Sequence, residues 1–309
     1  MITGTQLSLA YSLDILLGDP ELFPHPVKLF GYLTQAGEAV LMPFAKEYKR
    51  ELVAGAALTM SVASVGWSLG RPRSGFWQVM LAWSALATRS LLKEAGAVIA
   101  ALERNDIPLA RQRVSRIVGR DTAHLDETEI ARAVIETLAE STCDGIVAPL
   151  FWLAVGGVPA AMAYKAVNTM DSMIGHTEPH YLYFGRVAAR TDDFANFVPA
   201  RLTAIGISIS AYLLGLDSKG SWRIWLRDGN NHASPNAGQG EAAMAGALNV
   251  RLGGVNVYDG LPRTAPTLNP EGVRASVGSA RSALSVVGTV SAMALGVAVL
   301  VIGMSHRRP

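Results

Sequence analysis

Long stretches without a charged side chain are the strongest constraint on how this chain folds. Residues 282–305 form a run of 24 such residues, which is followed by His306, Arg307 and Arg308. Residues 52–70 and 145–164 form runs of 19 and 20. A helix needs about 20 apolar residues to cross a bilayer. The three runs therefore predict membrane-spanning helices, and they argue against a soluble enzyme.

Three shorter apolar segments are compatible with either a spanning helix or a buried soluble helix. Each of them reaches spanning length only if a flanking charge lies at the interface or faces protein. We therefore predict an all-α, polytopic integral membrane protein with four to six transmembrane helices and helical polar loops, forming a single membrane-embedded domain over residues 1–309. The candidate spans are 1–17, 52–70, 74–92, 145–164, 202–216 and 283–304.

Composition and charge narrow the class of protein further. Hydrophobic residues make up 50% of the chain and charged residues only 17%, whereas soluble domains average about 25% charged. The net charge of +2 implies no bulk attraction to nucleic acid. Cys143 is the one cysteine, so an internal disulfide is excluded.

The ends and loops of the chain predict its location. No basic residue precedes the first apolar run and no cleavage pattern follows it, so we expect no secretory signal. Loops 18–51, 93–144 and 217–281 carry 18 Lys and Arg residues, against 6 in the alternate set. Because basic loops stay in the cytoplasm, we predict a multi-pass protein of the cytoplasmic membrane with these loops inside.

A row of acidic residues lies at the end of the second of these loops, next to the membrane run 145–164. Asp126 and Glu129 have the spacing of a helix-starting capping box. Beyond them, Glu136, Glu140 and Asp144 recur every fourth residue and so share one face of a helix. Oxygen ligands of this kind suit Mg²⁺. An ordinary exposed helix remains the alternative.

The preceding segment, residues 109–121, predicts a basic helix. Arg113, Arg116 and Arg120 lie three or four residues apart and would share one face. Guanidinium groups suit phosphates and carboxylates. Attraction to anionic lipid headgroups is the alternative interpretation.

Two further polar segments adjoin the membrane runs. The run 145–164 is broken at Gly156–Pro159, and Lys165, Asn168 and Asp171 follow on one helical side. Polar residues so close to a membrane segment are expensive and usually functional. Asp192, Asp193 and Asn196 have oxygen atoms that could bind a cation. The alternative is that Arg190 pairs with Asp193 along the helix.

The last polar segment, residues 227–241, combines glycines with Asn, His and Ser and leads into an Ala-rich helix. The N-terminus of such a helix is a natural site for an anion. The segment is not a Walker A motif, because no GKS or GKT follows. A turn with a helix cap is the alternative.

Taken together, these segments resemble the membrane-bound adenosylcobinamide-phosphate synthase family of cobalamin biosynthesis. Six motifs lie in family order across residues 11–260, and one departure occurs where Gln239 and Gly240 replace an aromatic-Pro pair ahead of Glu241. The motifs are DILLGDP and PHPV within 14–27, IVGRD at 117–121, AESTCDGIVAPLF at 139–151, KAVNTMDSMIG at 165–175, DDFANFVPAR at 192–201 and RDGNNHASPNAG at 227–238.

The resemblance implies an ATP-dependent ligase that joins aminopropanol, or its phosphate, to the free propionate carboxyl of adenosylcobyric acid. The carboxylate must be activated, most simply as an acyl phosphate. Mg²⁺ and arginines must neutralise the triphosphate, and the attacking amine must be neutral. The implied partners are these two substrates, membrane lipid and other late cobalamin enzymes, with no nucleic acid. Alternatives are a non-catalytic membrane sensor of related fold, which would not need residues 227–238, and a corrinoid transporter, for which repeated halves would be typical.

Chemistry assigns roles to the residues of these motifs as hypotheses. Mg²⁺ is assigned to Glu136, Glu140, Asp144, Asp192 and Asp193. Phosphate and substrate binding are assigned to Arg116, Arg120, Arg227, Ser234, Asn236 and Gly238. His232, with Asp228 nearby, is assigned as base or orienting group, and Lys165, Asn168 and Asp171 complete the catalytic set.

Topology places one constraint on these assignments. If runs 145–164 and 202–216 both cross the membrane, residues 168–197 lie opposite the other polar loops. Either the break at Gly156–Pro159 makes a re-entrant segment, or the site lies at intermediate depth. We favour intermediate depth, because a re-entrant segment would place residues 217–281 outside, away from ATP.

Overall fold

The computed structural model describes residues 2–19, 25–45, 47–71, 74–176 and 180–305, and these residues are predominantly helical. Part of the proline-rich segment, residues 20–24, lies outside the described residues. The helices are α1 (Gly4–Leu17), α2 (Pro26–Leu41), α3 (Tyr48–Leu69), α4 (Gly75–Ala85), α5 (Thr88–Glu103), α6 (Ile107–Val114), α7 (Glu127–Thr142), α8 (Ala148–Ile174), α9 (Arg186–Leu213), α10 (Ser218–Asp228), α11 (Ala237–Leu248) and α12 (Val277–Ser305).

Four helical stretches of the described chain are long and apolar enough to cross a membrane. They are Tyr48–Leu69, Glu127–Ile174, Arg186–Leu213 and Val277–Ser305. The second stretch joins α7 to α8 through a π-helical turn, Cys143–Val147. These stretches contain or overlap the predicted spans 52–70, 145–164, 202–216 and 283–304. The prediction of an all-α polytopic membrane protein is confirmed.

The two remaining predicted spans do not form helices of spanning length. Helix α4 ends at Ala85, and Leu86 adopts extended backbone angles before α5 begins at Thr88. The predicted span 74–92 is therefore two short helices. Helix α1 covers 14 residues of the predicted span 1–17. At 1.5 Å per residue a helix of that length reaches only about 21 Å.

The contacts within the chain define two compact units. The first unit comprises Met1–Ala87, Ala148–Asn196 and Leu295–Pro309, and the second comprises Thr88–Val147 and Phe197–Ala294. The core of the first unit includes Phe30 and Phe184, both fully buried. Helix α3 packs closely on its neighbours there, since a Cβ on Gly55 would lie 1.8 Å from the Phe184 carbonyl oxygen. Small residues permit such close approach of helices in membranes.

In the second unit, α11 is the most deeply buried helix. Each of its residues from Ala237 to Ala247 is buried. Its close neighbour is α10, because a Cβ on Gly246 would lie 2.3 Å from the Gly220 carbonyl oxygen. The Ser221 hydroxyl donates to the Ala243 carbonyl (2.8 Å) between the same two helices. The helix expected after the 227–241 loop is therefore present, and it forms the centre of this unit.

A two-stranded antiparallel sheet, which the sequence analysis did not predict, follows α11. Strand β1 (Leu252–Tyr258) pairs with β2 (Leu261–Leu268) through a two-residue turn. Both turn residues have positive φ, 50° at Asp259 and 75° at Gly260. Asp-Gly is a preferred pair for such a hairpin turn, so the signal was present in the sequence.

The predicted basic helix over 109–121 is wrong in its extent. Helix α6 ends at Val114, and the chain continues as turns. Arg116 and Arg120 therefore do not share a helical face with Arg113. Instead, Arg116 pairs with Glu94 at 3.0 Å near the surface, whereas Arg120 is directed elsewhere. The capping box of α7 is confirmed, with both Asp126 and Glu129 making their reciprocal bonds.

Close packing of α10 on α11 predicts that Gly246→Ala destabilises the protein. The added methyl group collides with the backbone of Gly220, and overpacking of this kind costs about 1–3 kcal/mol. Gly96→Ala is the matched control, because a Cβ on Gly96 in α5 meets nothing within 4 Å. We expect it to be neutral or stabilising. Thermal unfolding in detergent micelles would measure both, and an unchanged melting temperature for Gly246→Ala would contradict the packing argument.

Candidate active site

A polar pocket of about 320 Å³ lies within the second unit. Its walls come from the segment after α6, from α7, from the 229–236 loop, from α11 and from the hairpin. Its charged and hydrogen-bonding side chains are Arg120, Glu136, Glu140, His232 and Glu241. Two stretches far apart in sequence, residues 120–140 and 232–241, thus place their polar residues around one small space. The other lining residues are Ile117, Val118, Gly119, Thr137, Ser141, Gly253, Asn256, Tyr258, Ala265 and Pro266.

Two arginines and one glutamate form the framework of this pocket. Glu136 pairs with Arg120 and lies 3.5 Å from Arg132. All three side chains are largely buried, at 7%, 12% and 12% exposure for Arg120, Arg132 and Glu136. Both guanidinium groups also donate to the side-chain oxygen of Asn256 in β1. We call these four residues the arginine–glutamate hub.

The hub fastens the hairpin to α7. The second carboxylate oxygen of Glu136 accepts from the Gly253 backbone N–H at 2.8 Å, and Arg132 donates to the Gly253 carbonyl. Gly253 has a φ of 77°, and a Cβ there would lie 2.0 Å from the Pro266 carbonyl oxygen. Only glycine fits this position. The unpredicted hairpin is therefore a wall of the candidate site.

His232 enters the pocket on the loop between α10 and α11. Its Nδ1 accepts a hydrogen bond from the Ser234 backbone N–H at 3.0 Å, so the neutral ring carries its proton on Nε2. Burial lowers the pKa of His232. The ring is thus kept neutral, and it offers an N–H donor rather than a free base nitrogen.

The loop is held in place by the side chain of Ser234 within it and by that of Gln239 in α11. Ser234 accepts from the backbone N–H groups of Asn236 (3.2 Å) and Ala237 (3.3 Å), which satisfies the helix start. Gln239 donates to the Gly229 carbonyl at 2.9 Å. A Cβ on Gly238 would lie 2.6 Å from that same carbonyl oxygen. The predicted binding residues Ser234 and Gly238 therefore shape the loop, as the turn-and-cap alternative expects.

Glu241 is a pocket residue that the sequence analysis left out of its candidate set. Its side chain is only 7% exposed. Burial, and then the charges of Glu140 and Glu136, raise the pKa of Glu241 well above its ordinary value, against a lowering effect of Arg120. The position lies one helical turn beyond Ala237, within an otherwise small-residue helix. A single carboxylate in such a helix is the sequence signal that could have identified Glu241 as a site residue.

Arg227 and Asp228 are occupied with each other and with the chain after the hairpin. Arg227 donates to both oxygens of Asp228 (2.7 and 2.8 Å) and pairs with Glu271. Asp228 also accepts from the Asn269 backbone N–H at 2.8 Å. The Arg227 guanidinium holds the pKa of Asp228 below its ordinary value. Neither residue lines the pocket.

The first unit contains a separate buried polar network between α8 and α9. Asp192 accepts from the amides of Asn168 (3.2 Å) and Asn196 (3.0 Å). Tyr164 donates to Asn196 at 3.0 Å, and Lys165 to Asn168 at 3.4 Å. The predicted polar side of α8 is therefore present, and residues of α9 complete its hydrogen-bond network.

Two predicted residues lie beside this network. Asp193 pairs with Arg190 at 3.4 Å, as the simpler interpretation expected. Asp171 lies where α8 ends, and a Cβ on Gly175 would collide with its carboxylate. Helix α8 also contains the predicted break, where Gly157 has a φ of 68° ahead of Pro159.

The predicted Mg²⁺ ligands have the right oxygen chemistry but are not arranged as a ready-made metal site. In the described ranges, no group of three or more His, Cys, Asp or Glu side chains is placed to hold a metal ion. Glu136 is engaged by Arg120 and Gly253, so it does not fit as a ligand. Asp144 lies in the π-helical turn, where the four-residue repeat of the acidic row is interrupted. Mg²⁺ binding by the remaining residues stays a prediction.

Comparison with known proteins gives a family for this arrangement. The model of the family described as CobD/Cbib protein matches residues 7–287. The chain belongs to the CobD/CbiB family. The match contains the whole pocket and also the polar network of the first unit. No solved structure matches the chain.

The curated relatives of this CobD/CbiB protein are similar over most of their length. A "Cobalamin biosynthesis protein CobD" of Geobacter metallireducens is 47% identical over 86% of each chain. A protein of the same name from Pelobacter propionicus is 48% identical over 83% of this chain and 82% of its own. "Cobalamin biosynthesis protein CbiB" of Salmonella typhi is 42% identical over 82% of both.

The hub predicts that Glu136→Gln loosens the hairpin. The change removes the charge that compensates Arg120 and Arg132, and breaking a buried pair costs about 3–5 kcal/mol. We expect faster hydrogen–deuterium exchange of the backbone amides over 252–268, with little change in the first unit. Glu127→Gln, at an exposed position of α7, is the control. Unchanged exchange in the hairpin would show that the hub does not hold it.

Asp228→Asn is expected to destabilise the protein by about 1–3 kcal/mol, because a buried charge-assisted hydrogen bond is lost. The pKa of Asp228 is lowered in the folded state. Its contribution is therefore complete above the unfolded pKa of about 4 and is lost as the pH falls through the folded value. The difference in melting temperature between the wild type and Asp228→Asn should be constant between pH 6 and 8 and should decrease towards zero below pH 4. A difference that grows on acidification would contradict this assignment.

Proposed function

We propose that this CobD/CbiB protein is a membrane-bound adenosylcobinamide-phosphate synthase. It joins the amine of aminopropanol, or of its phosphate, to the free propionate carboxyl of adenosylcobyric acid, and it uses ATP and Mg²⁺. The proposal rests on the family match and on the relatives' description as cobalamin biosynthesis proteins.

The observation that supports an enzyme best is the pocket of the second unit. It brings donors, Arg120 and the neutral His232, into one space with the carboxylates Glu140 and Glu241. Small polar pockets in which titratable groups converge are typical of catalytic sites. A membrane sensor would not need this arrangement. A transporter is disfavoured because the sequence shows no repeated halves.

The proposed chemistry assigns distinct tasks to these residues. ATP supplies the free energy that activates the carboxylate, and Mg²⁺ would neutralise its phosphates. The amine nitrogen then attacks the carbonyl carbon of the acyl phosphate, the carbon–oxygen bond to phosphate breaks and phosphate leaves, and the proton of the nitrogen passes to a carboxylate of the pocket. Arg120 and the N–H of His232 are suited to stabilise negative charge on an oxygen or phosphate. Arg116, Glu140, Asp144, Asp192 and Asp193 remain the proposed contacts for phosphate and metal.

The location and partners follow from the same proposal. The spanning helices support a membrane location, and we propose that this is the cytoplasmic membrane, with lipid, the corrinoid and the amino-alcohol as the protein's partners. Other late cobalamin enzymes are further proposed partners. We expect no nucleic acid among the partners.

The direct test is turnover by the full chain in lipid nanodiscs. The protein is supplied with ATP, Mg²⁺, adenosylcobyric acid, and either aminopropanol or its phosphate. Mass spectrometry should show the amide product, and competition between the two amines should reveal which is used. Failure to form any amide, by protein that is folded and binds ATP, would overturn the proposal.

Asp144→Asn tests the proposed metal contact in the same assay. If Asp144 holds Mg²⁺, we expect turnover to fall by about 100-fold at limiting Mg²⁺. Raising the Mg²⁺ concentration should partly restore the rate. Near-normal turnover at every Mg²⁺ concentration would remove Asp144 from the metal site.

His232 gives a prediction that distinguishes a donor from a general base. The loss of a donor to developing negative charge costs about 10²–10³-fold in rate, so His232→Ala should show a loss of this size. His232→Gln retains an N–H donor and should recover most of the rate with the wild-type pH profile. If Gln is as inactive as Ala and the pH profile loses a limb, His232 acts as the base instead.

A further inference from the structure

Glu241 is the one charged side chain of the pocket without an assigned task. It is 7% exposed, and it lines the pocket. Its carboxylate makes no hydrogen bond or ion pair with any residue in the described part of the chain. Burying an ionisable group without a partner is costly. The position therefore indicates a ligand that bonds with this carboxylate when it is bound.

Close packing of α11 on α7 brings Glu241 next to α7. A Cβ on Gly240 would lie 2.9 Å from the Ala139 carbonyl oxygen, so only a glycine lets α11 approach α7 here. The next residue of each helix is then an acid, Glu140 and Glu241, and both face the same pocket. Glu136 is already compensated by arginines of the hub. The carboxyl groups of Glu140 and Glu241 are thus brought together at one wall of the pocket.

The rest of the pocket has the opposite character. Arg120 and the Nε2–H of His232 are donors, and Ile117, Val118 and Pro266 supply apolar wall. The space, about 320 Å³, suits a small molecule that carries a positive group and a negative or polar group on a short carbon chain. It is far too small for a corrin ring. A nucleoside triphosphate, which carries only negative charge, would face Glu140 and Glu241.

We propose that Glu241, together with Glu140, binds the ammonium group of the amino-alcohol substrate, and for Glu140 this role replaces the metal contact proposed above. This inference rests on the proposed function and adds a substrate-binding residue to it. An alkylammonium offers three N–H donors on one atom and so can engage both carboxylates. Mg²⁺ is the competing occupant. It keeps several waters, which a carboxylate as enclosed as Glu241 leaves little room for, and no third acid of the described chain joins the two.

The experiment compares two probes on the full chain in lipid nanodiscs. One is aminopropanol phosphate and the other is propanediol phosphate, which has a hydroxyl in place of the amine. Calorimetry should show that the wild-type protein prefers the amine by about 30-fold, because a buried charge pair contributes about 2 kcal/mol or more. Glu241→Gln has nearly the same shape and should bind both probes equally. Glu127→Gln, the exposed control, should keep the preference.

The possible outcomes separate the alternatives. If Glu241→Gln keeps the amine preference, or if the wild type has none, the inference is overturned. It is also overturned if the wild type binds Mg²⁺ alone, added without the amine, and Glu241→Gln abolishes that binding, because the carboxylate is then a metal ligand. If Glu241→Gln does not fold, the preference for the amine probe is measured on Glu140→Gln instead. A wild type that prefers the amine but forms no amide would refute the proposed function while leaving this inference intact.

Discussion

The candidate site depends on one buried electrostatic interaction, that of Glu136 with two arginines. Arg120 comes from the turn after α6, Arg132 lies one helical turn before Glu136 in α7, and Asn256 joins them from the hairpin. Charges so little exposed are tolerated only when they are paired and fully hydrogen-bonded. This requirement fixes three segments relative to each other within the second unit. The pocket is the space that remains between them.

The same interaction divides the acidic residues into two kinds. Glu136 is bonded within the framework, whereas the side chains of Glu140 and Glu241 line the pocket. The pairing of like charges at the pocket wall would be unfavourable in an empty protein. In the proposed function, a cationic group of the substrate would offset this repulsion, and the donors Arg120 and His232 would bind the other end of that molecule.

The sequence predicted individual elements well where the signal was local. The capping box at Asp126 and Glu129, the helix after the 227–241 loop, and the polar face of Lys165 and Asn168 are all present. It failed where the outcome depended on distant contacts. The basic helix ends at Val114, and Arg120 bonds with Glu136 and Asn256 rather than sharing a helical face with Arg113. Arg227 and Asp228, assigned to phosphate and catalysis, are instead bonded to Glu271 and Asn269.

By itself, the sequence determined that this chain is a helical membrane protein, since runs of about 20 apolar residues leave a chain few other choices. Its motifs also determined the family, because their order along the chain is a linear property. Only the tertiary structure decided which polar residues meet. Glu241 lies about 100 residues from Glu140, and the hairpin lies further still from Arg120, so no periodicity links them. Their meeting is set by glycine contacts and a buried ion pair, which operate between segments rather than along them.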